Sequence, residues 1–400
     1  MRIITGGVTA PAGFLASGTA CGLKKDGEKD LAIIYTEKEA YASGVFTTNV
    51  IKGSSLKLTM ENIKDGRVHA VIINSGNANA CVGEAGYHDA VEMASISAGL
   101  LKCSEKGVLV GSTGVIGKRL NMEAVRKGIR DGVSKLSISG GHEAEEAIMT
   151  TDLLPKETAV EFITGGKPVR IGAMAKGSGM IHPNMATMIS IITTDAVINR
   201  ELLDKALKES VKHTFNRVTV DGDTSVCDMA LILANGQAGN TAIETEDEGY
   251  KAFKAALDNV CTFLSRLIAK DGEGATKLVE IIANGVVNEE DAYKIVSAIA
   301  KSPLVKTAIF GEDANWGRII TAAGYSGAIF DPDKVDIYIG GLMVCRNGAA
   351  LDFDEGKAKE KLKEKEVRII IDLKSGSFSD RIWTCDFSYD YVKINGSYRS

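Results

Sequence analysis

The stretch AKGSGMIHPNMATM, residues 175–188, decides how the rest of the chain is read. A β-prone run, residues 169–175, leads into it, and a small-residue loop, Gly177 to Gly179, and then Pro183 follow. A second apolar, β-branched run starts at Met188 and continues to Thr194. The pattern predicts two strands with a connection between them, and Thr187 at the mouth of the second. A hydroxyl there reads either as an ordinary strand-edge side chain or as a nucleophile.

Outward from this stretch, strands and helices alternate in both halves. Upstream, residues 33–47 read as short apolar runs broken by turn residues, and HAVIIN, residues 69–74, reads as a buried strand. The loop NSGNANACVGEAG that follows is either plain surface or a place where a ligand approaches the backbone, since small side chains suit both. Residues 87–103 carry Val91, Ala94, Ala98 and Leu101 at helical spacing. A strand at 106–110 runs into the glycine-rich turn GSTGVIG, residues 111–117, whose backbone amides suit a phosphate or, equally, an oxyanion. Helices are expected at 121–135 and 142–149, and strands at 158–163 and 169–175 joined through Gly165 and Gly166 as a hairpin.

Downstream, helices are expected at 200–213, 248–270 and 288–301, and strands at 278–283, 336–340, 367–373 and 381–392. KDGEGATK, residues 270–277, sets Glu273 in a glycine-flanked turn. The alternation predicts an α/β or α+β layered fold and excludes an all-helical one. Four hundred residues exceed what one core usually holds, so two domains or two similar halves are expected.

Composition narrows the function classes. A formal charge of −5 argues against a nucleic-acid surface, and the lysines of GKAKEKLKEKE, residues 356–366, are interleaved with acids as on a solvated helix face. No apolar run is long enough to span a membrane and the N-terminal residues lack an apolar leader core, so neither membrane nor secretion is expected. Seven cysteines, at positions 21, 81, 103, 227, 261, 345 and 385, lack paired spacing and fit a reducing cytoplasm. With five dispersed histidines they offer no metal-ligand pattern, so no metal is expected.

The catalytic inventory is short. There is no GxSxG elbow and no HExxH, and GSTGVIG lacks the Lys-Ser/Thr pair of a phosphate loop, because Lys118 is followed by Arg119. His182 is the histidine nearest a candidate nucleophile. A threonine hydroxyl needs a base, and cleavage just before Thr187 would provide one, the new α-amine, whose ordinary pKa is about 8.

AKGSGMIHPNMATM resembles the autoproteolytic motif of the glutamate N-acetyltransferase / ornithine acetyltransferase family of arginine biosynthesis. NSGNANAC, STGVIG, TTD (residues 150–152), TVDGDTS (219–225), KDGEGATK, NWGRI (315–319) and YDYVKIN (389–395) follow in that family's order, so the resemblance covers essentially the whole chain. It implies a two-domain, N-terminal-nucleophile-like α/β fold of the ornithine acetyltransferase type. It further implies self-cleavage between Ala186 and Thr187 into an N-terminal chain, 1–186, and a C-terminal chain, 187–400, with Thr187 as the acetyl-accepting nucleophile. Thr113 and Gly114 match the oxyanion-hole pair. Thr150 or Thr151, Lys176, Thr187, Glu273, Asn395 and Ser400 match substrate-binding positions, whereas Cys227 stands where Asn is commoner.

The activity so implied moves acetyl from N2-acetylornithine to glutamate, in the cytoplasm, without a metal or resident cofactor. Family members divide into those that use acetylornithine alone and those that also take acetyl-CoA, and the resemblance leaves both open. Two α and two β chains form the implied heterotetramer. Two rivals share some of these residues: an N-terminal-nucleophile hydrolase such as an aminopeptidase or amidase, and a nucleotide-binding module built on GSTGVIG.

Overall fold

The computed structural model describes residues 1–25, 27–182 and 188–397. Among them the strands form two sheets, one of nine strands and one of six, each carrying helices. This is the layered α/β arrangement expected.

The larger sheet is built around the opening stretch. Lys167–Lys176 pairs antiparallel with Glu157–Thr164 on one side and with Ile189–Thr194 on the other. The hairpin between the first two turns at Gly165 and Gly166, with φ of 54° and 72°, values that cost a glycine little. Ile189–Thr194 then lies parallel to Met229–Ala234, and both are buried along their whole length, as their unbroken apolar and β-branched runs require. The expected boundary between residues 186 and 187 thus falls between two paired strands, and the large sheet draws strands from both sides of it.

Leu31–Phe46 is one strand of 16 residues, where short runs separated by turns were expected. Its would-be turn is an irregularity between Tyr35 and Ala40, which exposes the charged residues 37–39 while pairing resumes beyond them. It joins Met229–Ala234 to Arg67–Asn74, and the latter runs parallel to Val108–Ser112.

Helices Arg200–His213 and Glu248–Lys270 cover one face. Asn199 and Asp247 cap them, and stripes such as Leu203, Ala206, Leu207 and Val211 point inward at helical period. Leu264 and Ile268 of the longer helix share a core with Leu278, Trp383 and Cys385 of the smaller sheet, so the two layers meet there.

The smaller sheet centres on Leu278–Val286 between Glu366–Asp372 and Phe378–Cys385. A strand was expected over 381–392. It ends at Cys385, and Tyr389–Ser397 is a helix. Among the described residues no helix is long and apolar enough to cross a membrane.

Candidate active site

Several loops, the end of one strand and the C-terminal helix meet at a small cleft. Seven expected site residues line it: Thr113, Gly114, Thr150, Thr151, Lys176, Glu273 and Asn395. Ala186, Thr187 and Ser400 lie outside the described residues.

The first wall is the glycine-rich turn after Val108–Ser112. Gly114 has a φ of 124°, and a Cβ there would stand 2.5 Å from the carbonyl carbon of Gly76 and 2.7 Å from the nitrogen of Asn77. Only glycine lets this turn lie against the NSGNANAC loop. That loop is neither of the simple alternatives: Asn74, Ser75, Ala78, Asn79 and Ala80 are buried, and Asn77 Nδ2 donates to the carbonyls of Lys118 and Arg119 at 2.9 and 3.1 Å. It is a packed support for the turn, and Ala78 reaches the cleft. The Thr113 amide donates to the Asn74 carbonyl at 3.0 Å, so the hydroxyl is the donor that Thr113 can offer the cleft.

The second wall joins Thr150 and Thr151 to Lys176, the last residue of Lys167–Lys176. A lysine at a strand end commonly projects into solvent. The side chain is instead buried, and its Nζ donates to Thr150 Oγ1 at 2.6 Å and lies 3.8 Å from Asp152 Oδ2. Burial by itself would raise the Asp152 pKa. The Lys176 and Lys156 ammoniums and the Thr150 amide outweigh it, holding this carboxyl well below the usual carboxylate range.

The third wall is the turn after Glu248–Lys270. Glu273 is buried, its amide donates to the Ser178 carbonyl at 3.0 Å, and its Oε2 accepts from Asn395 Nδ2 at 2.8 Å. Gly274, at φ 70°, lets the C-terminal helix approach, since a Cβ there would stand 2.4 Å from the Tyr391 nitrogen. The helix that replaces the expected strand end is therefore what brings Asn395 to Glu273.

The fourth side is Ser225, Val226 and Cys227, none of them expected to line the site, although Ser225 ends TVDGDTS and Cys227 stands where Asn is commoner in the resembling family. Cys227 is no rival nucleophile: burial pushes its thiol far up, so it carries its proton at neutral pH. His182 is pushed down to about 4 by burial and by the Lys301 charge, so its imidazole is neutral near pH 7.

A layered α/β chain with a small polar cleft of hydroxyls, one lysine, one carboxylate and one amide is built as an enzyme for a small charged substrate. The ArgJ family model matches residues 15–400. The chain is 53% identical over 404 residues to the arginine biosynthesis bifunctional protein ArgJ of Caldanaerobacter subterraneus subsp. tengcongensis, with all of both chains covered. It is 50% identical over 402 residues to the protein of the same name from Symbiobacterium thermophilum, again over all of both. Among solved structures, the arginine biosynthesis bifunctional protein argJ of Bacillus halodurans is 42% identical, with a TM-score of 0.51 over 52% of this chain and 98% of that one. The chain belongs to the ArgJ family. It is an enzyme of arginine biosynthesis, of the ornithine acetyltransferase type.

Proposed function

We propose that this enzyme carries acetyl from N2-acetylornithine to glutamate on the hydroxyl of Thr187, after cutting its own chain between Ala186 and Thr187. The observation that carries the reading is the convergence on one cleft of Thr113, Gly114, Thr150, Thr151, Lys176, Glu273 and Asn395, which come from five separate places in the sequence. Ile189, two positions after Thr187, pairs with Lys176, so the described chain leaves and rejoins the sheet at that cleft. The solved relative matches over 98% of its own length yet covers 52% of this chain, as expected of a half-length polypeptide.

In the cut, the Thr187 hydroxyl attacks the Ala186 carbonyl, and the peptide nitrogen leaves as the new α-amine. Water then hydrolyses the resulting ester, freeing the hydroxyl. In transfer, the α-amine takes the hydroxyl proton as the oxygen attacks the acetyl carbonyl, and returns it to the departing ornithine nitrogen. The negative charge that develops on the acetyl oxygen meets the Thr113 hydroxyl and the Gly114 amide, each worth about 3 kcal/mol in such a role. Lys176 favours the neutral amine by like-charge repulsion. Glu273 receives the substrate ammonium, and Asn395 with Ser400 holds its carboxylate. Glutamate then attacks the acetyl ester and restores Thr187.

The word "bifunctional" in the relatives' names supports acetyl-CoA as a second acetyl donor, used as a substrate and not as a resident cofactor. Association of the two halves into a cytoplasmic heterotetramer belongs to the same reading. The test is kinetic. Varying acetylornithine and glutamate together should give parallel double-reciprocal lines, and omitting glutamate should leave one stoichiometric burst of ornithine. Full-rate ornithine release without glutamate would replace the transferase by the aminopeptidase-like hydrolase.

A further inference from the structure

Behind the cleft lies a fully buried ion cluster that the reaction does not use. Lys156 is 1% exposed, and its Nζ donates to Asp152 Oδ1 at 2.7 Å, Asp271 Oδ2 at 2.6 Å and the Leu154 carbonyl at 3.3 Å, which accounts for all three of its protons. Each carboxylate is in turn fixed to a wall of the cleft. Asp152 accepts from the Thr150 amide at 3.0 Å and from the Gly177 amide at 2.6 Å, and lies beside Lys176. Asp271 accepts from the Leu153 amide at 3.0 Å, its own carbonyl accepts from Ser178 Oγ at 2.6 Å, and it stands two residues before Glu273.

One ammonium therefore ties together the segment of Thr150 and Thr151, the segment of Lys176 to Ser178, and the turn of Glu273. Two ammoniums face two carboxylates here, and burial pushes the neighbouring Glu145 carboxyl up from its ordinary value. Removing Lys156 would leave two carboxylates to one lysine, and Lys176 would be drawn from Thr150 toward Asp152.

We infer that Lys156 is a positioning residue, which sets the distance between the Lys176 wall and Glu273 and so the fit of an amino-acid substrate spanning them. This rests on the proposed roles of Lys176 and Glu273. Lys156 does not line the cleft. It acts through Asp152 and Asp271, and in a cut protein its pair with Asp271 would also join the two chains.

The experiment compares wild type, Lys156→Met and Asp271→Asn by thermal melting, extent of cleavage and steady-state kinetics with both substrates. A change in the spacing of two charged contacts weakens every charge-assisted bond to a substrate spanning them, so KM for acetylornithine and for glutamate should rise about tenfold or more in the folded Lys156→Met enzyme. Asp271→Asn keeps the side chain's shape and an acceptor for the Leu153 amide, and should show the same rise to a lesser degree. A merely structural lysine would lower the melting temperature and leave KM alone. Wild-type KM values in folded Lys156→Met, or in Asp271→Asn where the first variant does not fold, would overturn the inference. Absence of acetyl transfer by the wild type would instead overturn the reading of the site, and the inference with it.

Discussion

Lys176 Nζ donates to Thr150 Oγ1 at 2.6 Å, while Thr151, its neighbour in sequence, lines the same cleft without that bond. The ammonium is thus hydrogen-bonded to this hydroxyl and lies 3.8 Å from Asp152 Oδ2. Thr150→Val keeps the volume and removes the acceptor, so Lys176 should swing toward Asp152 and KM should rise roughly tenfold, the worth of one charge-assisted hydrogen bond. Thr151→Val should do less. The reverse order in steady-state kinetics would move the substrate contact to Thr151.

Thr113 and Gly114 separate two kinds of dependence. Thr113→Ala removes one hydroxyl from a loop and no core packing, so the melting temperature should hold while acetyl transfer slows by roughly two to three orders of magnitude. Gly114→Ala meets backbone at 2.5 Å and a φ of 124°, and should destabilise the fold as well. An unchanged kcat in Thr113→Ala would reduce the turn to a structural one.

How far such a site could be read in advance differed by residue. GSTGVIG announced a backbone site because glycines at that density have few other uses, and KDGEGATK placed Glu273 on a turn for the same reason. The helix that carries Asn395 was hidden by pattern: the alternation in residues 381–392 reads as a continuing strand. The strand stops because Asp386 accepts from the Thr276 and Lys277 amides at 2.8 and 3.0 Å, and Ser388 Oγ donates to the Gly274 carbonyl. These contacts cross more than a hundred residues, and no local propensity records them. Lys156 gave no signal at all, since a buried lysine and a solvated one look alike until their partners are known.

The Asn395 to Glu273 bond yields a third prediction. The C-terminal helix buries none of its residues, so Asn395→Ala should leave stability nearly unchanged. Glu273 would lose a donor that orients it, and the substrate carboxylate a partner. KM for both substrates should rise several-fold with kcat less affected, as for binding that is uniform along the reaction. A fall in kcat at constant KM would place Asn395 with the reacting atoms instead.

Asp221 supplies a prediction in pH. It accepts from the Met180 and Ile181 amides at 2.7 and 2.9 Å, within the stretch that carries Thr187. Burial nonetheless outweighs these bonds and lifts its pKa from 3.8 to about 6. Between those values the folded protein holds a proton that the unfolded chain has released. The group's stabilising contribution is thus complete below about 3.8 and lost as pH rises through about 6. The displacement corresponds to roughly 3 kcal/mol between the two protonation states. Asp221→Asn cannot titrate, so its unfolding free energy relative to wild type should climb from pH 4 to about 6.5 and then level off. Because Met180 lines the cleft, a step near pH 6 in the wild-type kcat/KM profile should vanish in the same variant. Parallel stability curves across that range, measured by denaturant unfolding, would show that Asp221 is already ionised at pH 4 and that its three amide donors, Asp223 included, outweigh burial.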